Sequence, residues 1–448
     1  MRRITVAIFC LFFFLSSSAY CAEKYDPAAL AKTISPYVDD ATLFVVHVDM
    51  TRADIAPVAA RIKEIFPKFG TPQQQADGLA QFDKGVAEVS KWVGDFTKAG
   101  GRDYFLVVSM SGFPDFPLYA VVPVKAGADA QAIAKLLTAN DPQESGVRAE
   151  LHGDVILWGK PLAINNLKNL KPKDHPELAK AFEAAEDSAA QALFVPSADT
   201  RKVLNEMLPN AADGPLAGAK DAVTKGIVWA AFGAEGSPNL SLNIVMQSPD
   251  AASAGVLADV INKLVGTMKQ MLSRELARSP EAAKLIGDVD VLAKAFTPTT
   301  AGDRLMFHLD TDQSLKLAGV MLPAIAKARM QASTSVTMNN MKQIILACMI
   351  YAEGHKGEFP PDLATLMKSQ NAVGPQMFKH PQMPDKEIGY SYLRPTRTAP
   401  AEQVVVYEAW DNPPPNIGVG FADGHVELMD YARFQKRLEQ SKARVDPK

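Results

Sequence analysis

Residues Ala41-Thr-Leu-Phe-Val-Val-His-Val48 crowd β-branched and aromatic side chains into one short apolar run, the composition of a buried strand. Residues Gln191-Ala-Leu-Phe-Val195 resemble it, and the elements C-terminal to each run decide the fold. After the first come a helix at about Thr51 to Phe66 and strands Tyr104 to Ser109 and Leu118 to Val124. A second helix at Asp129 to Ala139 and strands at Arg148 to Leu151 and Val155 to Trp158 close that unit. After the second come a helix at Asp199 to Met207, a hairpin of Gly226 to Gly233 and Leu240 to Met246, a long helix at Asp250 to Leu272 and a strand at Arg304 to Leu309. The order predicts an α+β protein with two diverged β-α-β-β-α-β units, each an antiparallel sheet with helices on one face. Unit boundaries are expected near 23–170 and 185–312.

From Leu315 to Tyr351 a long helix is expected: Met338, Met341, Ile345, Cys348 and Ala352 recur at helical spacing and form a core-facing stripe. Gly354 and Gly357 end it, and Asp362 starts a short helix through Met367. The remainder to 437 reads as a small antiparallel sheet domain, with a polar tail at 438–448. Its last strands, Ile417 to Phe421 and His425 to Leu428, flank Asp423-Gly424, a pair that favours a two-residue turn with both residues at positive φ. In that reading Val426 and Leu428 face the core, while His425 and Glu427 stay exposed.

Ahead of all this stands Met1-Arg-Arg, an apolar run from Ile4 to Leu15 and the small polar stretch Ser16 to Ala22, the outline of a secretory signal peptide over 1–22. Its apolar core is well short of the ~20 residues that span a bilayer, so export to the periplasm or outside is expected, without a membrane span in the mature chain. Cleavage after Ala19 fits small processing residues, and Tyr20 disfavours a lipid anchor on Cys21. Cys348 then stands without a disulfide partner, and its place on the helical stripe reads as a buried inert thiol. With 47 Lys and Arg against 50 Asp and Glu, scattered along the chain, there is no basic stripe for nucleic acid.

An ordered series of motifs resembles the pseudopilin-like, prepilin-type proteins of planctomycetes and their relatives. The series comprises Leu322-Pro-Ala-Ile-Ala-Lys-Ala-Arg329, Met338-Asn-Asn-Met-Lys-Gln343, Tyr351 with Gly357-Glu-Phe-Pro-Pro361, Tyr390-Ser-Tyr392 and Phe421-Ala-Asp-Gly-His-Val-Glu427. It covers residues 315 to 435. The resemblance implies a pseudopilin-like module that takes part in assemblies of the cell envelope. Departures are informative: Pro413 stands where the family often has a histidine, and Thr337 and His380 stand where it often has two cysteines.

The side chains that could carry chemistry are few. Asp423, His425 and Glu427 alternate along a strand, unlike the close ligand pairs of zinc sites, so they are only weak metal candidates, for calcium by analogy with secretion pseudopilins. His355, His380, Asp385 and Asp411 add possible ligands at no better spacing. Ser109-Met-Ser-Gly112 lacks the first glycine of a nucleophile elbow, and Gly159-Lys160 lacks a phosphate loop. His47 and His308 read as hydrogen-bonded strand residues, and Trp158, Trp229 and Trp410 as packing. With no convergent catalytic set and no cofactor motif, the expectation is a non-enzymatic protein with protein partners in the envelope. The alternative is a periplasmic ligand-binding or hydrolytic protein with a cleft between the two units.

Overall fold

The computed structural model describes residues 25–65, 72–112, 118–139, 146–171, 173–208, 214, 217–236, 240–278, 289–369, 374–383 and 386–445. The expected signal peptide with Cys21, Asp385 and part of the loop after Ser111 lie outside them. The fold is α+β. It divides into two compact units, one to Met321 and one from Leu322.

In the first unit the two expected sheets are one. Strands β1 (Thr42–Asp49), β2 (Asp103–Ser109), β3 (Leu118–Pro123), β4 (Arg148–His152) and β5 (Val155–Gly159) are followed by β6 (Ala190–Phe194), β7 (Trp229–Glu235), β8 (Ser241–Gln247), β9 (Thr299–Ala301) and β10 (Arg304–Leu309). They pair antiparallel in the order β4-β5-β3-β2-β1-β6-β7-β8-β10-β9. Outward from the central β1–β6 pair, the two halves run in the same sequence of strands. That pair is made by the two resembling runs themselves, Phe44 opposite Phe194 and His47 opposite Gln191.

Helices cover both faces, which corrects the one-face expectation. One face buries Val45, Phe105, Val121, Leu157 and Leu193 under α1 (Pro27–Ile34), α5 (Pro161–Lys168) and α6 (Pro176–Ala184), through Ile34, Ile164 and Phe182. The other buries Val46, Leu106 and Ile156 under α3 (Pro72–Lys98) and α4 (Ala130–Thr138), through Phe96 and Ile133. Beside these, α8 (Ala219–Gly226), α9 (Ala251–Arg278) and α10 (Val289–Ala295) cover Leu305, Phe307 and Leu309. Two further helices, α2 (Ala56–Ile65) and α7 (Ala198–Met207), come after β1 and β6 in corresponding positions. The physical reason for two covered faces is that β1 is apolar on both sides: Val45 and Val46 are each buried although they point oppositely.

The second unit begins within α11 (Thr311–Gly354), continues through α12 (Leu363–Lys368), and holds a four-stranded sheet ordered β11 (Tyr390–Tyr392), β12 (Val404–Glu408), β13 (Asn416–Phe421), β14 (Val426–Asp430). Met341, Ile345 and Cys348 of α11 are buried against one face of that sheet, as their spacing requires. Gly418 and Gly420 make room for the helix, since a Cβ on Gly420 would lie 2.4 Å from Ile345 Cδ1. Asp362 caps α12, its carboxylate accepting from the Thr365 amide at 2.6 Å. The expected polar tail is instead the end of α13 (Tyr431–Val445), whose Phe434, Leu438 and Ser441 fall at helical spacing against the sheet's other face. There the Ser441 hydroxyl accepts from the Val404 amide at 3.0 Å.

Candidate functional site

At the tip of the β13–β14 hairpin, Gly424 alone takes positive φ, at 90°. The Gly424 amide donates to the Phe421 carbonyl and the Phe421 amide to the His425 carbonyl, both at 3.0 Å. This is a three-residue loop closed by a left-handed glycine, and it corrects the two-residue turn expected for Asp423-Gly424. Asp423 holds it from inside, its Oδ1 accepting from the His425 amide at 3.1 Å and from His425 Nδ1 at 2.5 Å. Slight burial raises the Asp423 carboxyl, but these donors outweigh it and hold it below the usual carboxylate range. The His425 ring stacks on Phe421 at 4.3 Å between centroids. Glu427 pairs with Arg433 at 3.3 Å. Asp423 and His425 therefore bond to each other, while Glu427 bonds to Arg433 instead of joining them.

Leu428, expected in the core, is 49% exposed, while Met429 is buried. Odd-numbered residues of β14 face α13, so Met429 meets Phe434 and Leu428 projects on the opposite side.

The buried chemistry of this unit lies elsewhere, around His380 and Glu408. His380 is 1% exposed and Glu408 7%. His380 Nδ1 accepts from the Gln382 amide at 3.1 Å, which leaves Nε2 as the donor to Glu408 Oε1 at 2.9 Å. Glu408 Oε2 accepts from the Trp410 indole at 3.1 Å and the Gly418 amide at 2.8 Å. Thr337 Oγ1 meets the same His380 Nε2 at 3.2 Å. The two positions where the resemblance implies cysteines thus touch.

A hydroxyl, an imidazole and a carboxylate in contact suggest a nucleophilic triad, but the geometry is wrong for one. Such a triad places the acid and the nucleophile on opposite ring nitrogens, and here both meet the buried Nε2. What the arrangement does is satisfy a buried carboxylate and pin β12 to the loop that carries His380.

His355 stacks on Tyr351, Asp411 pairs with Lys386, and His308 bonds Asn243 on the exposed part of β10. Ser109 donates to Asp39 and is 2% exposed, with no imidazole in its hydrogen bonds. Gly159 and Lys160 join β5 to α5. Trp158 and Trp229 are buried and Trp410 half-buried, as packing residues are. Cys348 is buried, and burial raises its thiol to about 12, with the Tyr392 hydrogen bond acting the other way. Among the described residues no three of His, Cys, Asp and Glu gather as metal ligands. Open depressions of about 470 Å³ beside Tyr37 and about 430 Å³ beside His308 are lined by residues of the first unit.

The sequence does carry a signal for the Glu408 site: an acid closing the apolar run Val404-Val-Val-Tyr-Glu408 must find buried donors. The same holds for Gln191 at the head of Ala-Leu-Phe-Val. Its Oε1 lies 2.9 Å from His47 Nδ1, across the central strand pair.

Compared with protein-family models, curated proteins and solved structures, the chain matches none. Its class is that of an α+β protein with antiparallel sheets, and among the described residues no helix is long and apolar enough to cross a membrane.

Proposed function

We propose that the protein is an exported, non-enzymatic cell-envelope protein that works by interaction, with residues 315 to 435 as a pseudopilin-like module. The observation that carries this reading is how the reactive-looking side chains are used. His380 with Glu408, His47 with Asp103, and Asp423 with His425 all hold strands and turns to one another. Two motifs of the resemblance also touch, since the Asn340 amide donates to the Tyr390 hydroxyl at 3.3 Å. The shared strand order outward from β1 and β6 supports reading the first unit as a diverged internal duplication.

Crosslinking in the native envelope followed by affinity purification should recover specific protein partners. A monodisperse monomer with no partner would overturn the reading. The rival, a ligand-binding or hydrolytic cleft between the halves, draws no support from their junction, which is a hydrogen-bonded strand pair. A calcium role for Asp423 is tested by metal analysis of the purified protein before and after Asp423→Ala.

A further inference from the structure

His47 is 3% exposed and lies on the strand pairing that joins the two halves of the large sheet. Its Nδ1 is 2.9 Å from Gln191 Oε1, and its Nε2 is 2.9 Å from Asp103 Oδ1. The orientation of Gln191 is set independently of His47. Its Nε2 donates to the Glu186 carbonyl at 2.6 Å and to the Tyr25 hydroxyl at 2.8 Å, and Tyr25 in turn donates to the Phe182 carbonyl at 2.5 Å. A flipped amide would set two oxygens face to face at Glu186, so an acceptor faces His47 Nδ1 and a proton must sit there. On the other side stands a carboxylate. His47 and Asp103 therefore share two protons, and His380, with an amide donor on its Nδ1, shows how a histidine holding one is placed here instead.

The second proton has two possible homes, Nε2 or the Asp103 carboxyl. Arg102 and Lys125 lie near Asp103 and favour its charged form. Phe105 and Phe182 lie against the ring at 4.7 and 6.0 Å between centroids, while Glu183 and Asp187 act on the Tyr25 hydroxyl beyond Gln191.

We infer that His47 and Asp103 form a largely buried imidazolium–carboxylate latch between β1 and β2, which His47 extends to Gln191 of β6 in the other half of the sheet, and which closes only with both protons in place. Through Gln191 and Tyr25, the same latch anchors the segment leading into α1 and the end of α6. Taking one proton away leaves a bare ring nitrogen facing a carboxylate, or Gln191 Oε1 facing a bare nitrogen.

The test is a long-range ¹H–¹⁵N correlation spectrum of the full chain with labelled histidines. At pH 7 both His47 nitrogens should show imidazolium shifts. The signal is assigned by its loss in His47→Gln or, should that variant not fold, by proximity to Phe105. In Asp103→Asn the new amide donates to Nε2, so the ring should become neutral with its proton on Nδ1. An unprotonated His47 nitrogen in folded wild type at pH 7, or an imidazolium retained in Asp103→Asn, would overturn the latch.

Discussion

Glu408 meets three donors with two oxygens, and the three come from different parts of the chain: a loop histidine, an indole two residues on, and an amide of the next strand. Removing the acid leaves the imidazole, the indole and the Gly418 amide without this acceptor at a buried position. Glu408→Ala should therefore destabilise the protein by about 3–5 kcal/mol, read from urea unfolding. The acid at the end of an apolar strand is visible in the sequence; its partners are not, because His380 lies 28 residues away. At the hairpin tip the turn residues are legible and the loop length is not, since Asp423-Gly424 suits both two- and three-residue loops until the strand register is known. Gly424→Ala forces a side chain to φ 90° and should cost about 1–2 kcal/mol. The loop should keep its hydrogen bonds in Asp423→Asn, whose amide oxygen still accepts from His425, for a cost of about 1 kcal/mol or less. Thermal melts of the two variants separate these effects, and equal losses would show that the glycine's conformation is not what closes the loop.

Among the elements, the stripe of α11 is fully written in its spacing, and Met341, Ile345 and Cys348 are buried where the period puts them. The caps of α12 and α1 are equally local: Asp362 and Asp26 accept from amides two or three residues on. By contrast α3 does not stand out in the sequence because Gln, Gly and charged residues dilute its pattern, and among the described residues Phe96, with Trp92 and Val93, ties it to the sheet. Layering is not legible either. Whether a helix may lie on a strand depends on small residues at the contact, as at Gly233 of β7. A Cβ there would stand 2.1 Å from the Ala185 carbonyl oxygen at the end of α6. Gly233→Ala should lower stability by about 3 kcal/mol because a backbone carbonyl cannot swing away, and calorimetry showing no loss would mean that the turn after α6 is not fixed against β7.

Across the large sheet the halves are joined by a polar row, Asp103, His47 and Gln191, set within apolar strands. Burial raises the Asp103 carboxyl, but the His47 hydrogen bond and charge, with Arg102 and Lys125, outweigh it and leave it below its ordinary value. A carboxyl depressed on folding contributes stability that is complete above its unfolded value, about 3.9, and is lost as pH falls through the lower folded one. Acid unfolding followed by circular dichroism should accordingly show a shallower dependence on pH below about 4 in Asp103→Asn than in wild type. Unchanged acid limbs would place the native charge elsewhere. By itself the sequence determined the α+β class, eleven of the fourteen described strands, the α11 stripe and the Asp362 cap, because periodicity and hydrogen bonds to neighbouring amides act within a dozen residues. Only the tertiary structure decided that the two resembling runs are partners, that helices cover both faces of their sheet, and that Glu408, His47 and Gln191 are satisfied. Those outcomes depend on contacts such as His47 with Gln191, 144 residues apart, and burial at that distance comes from edges pairing in space rather than from any local pattern.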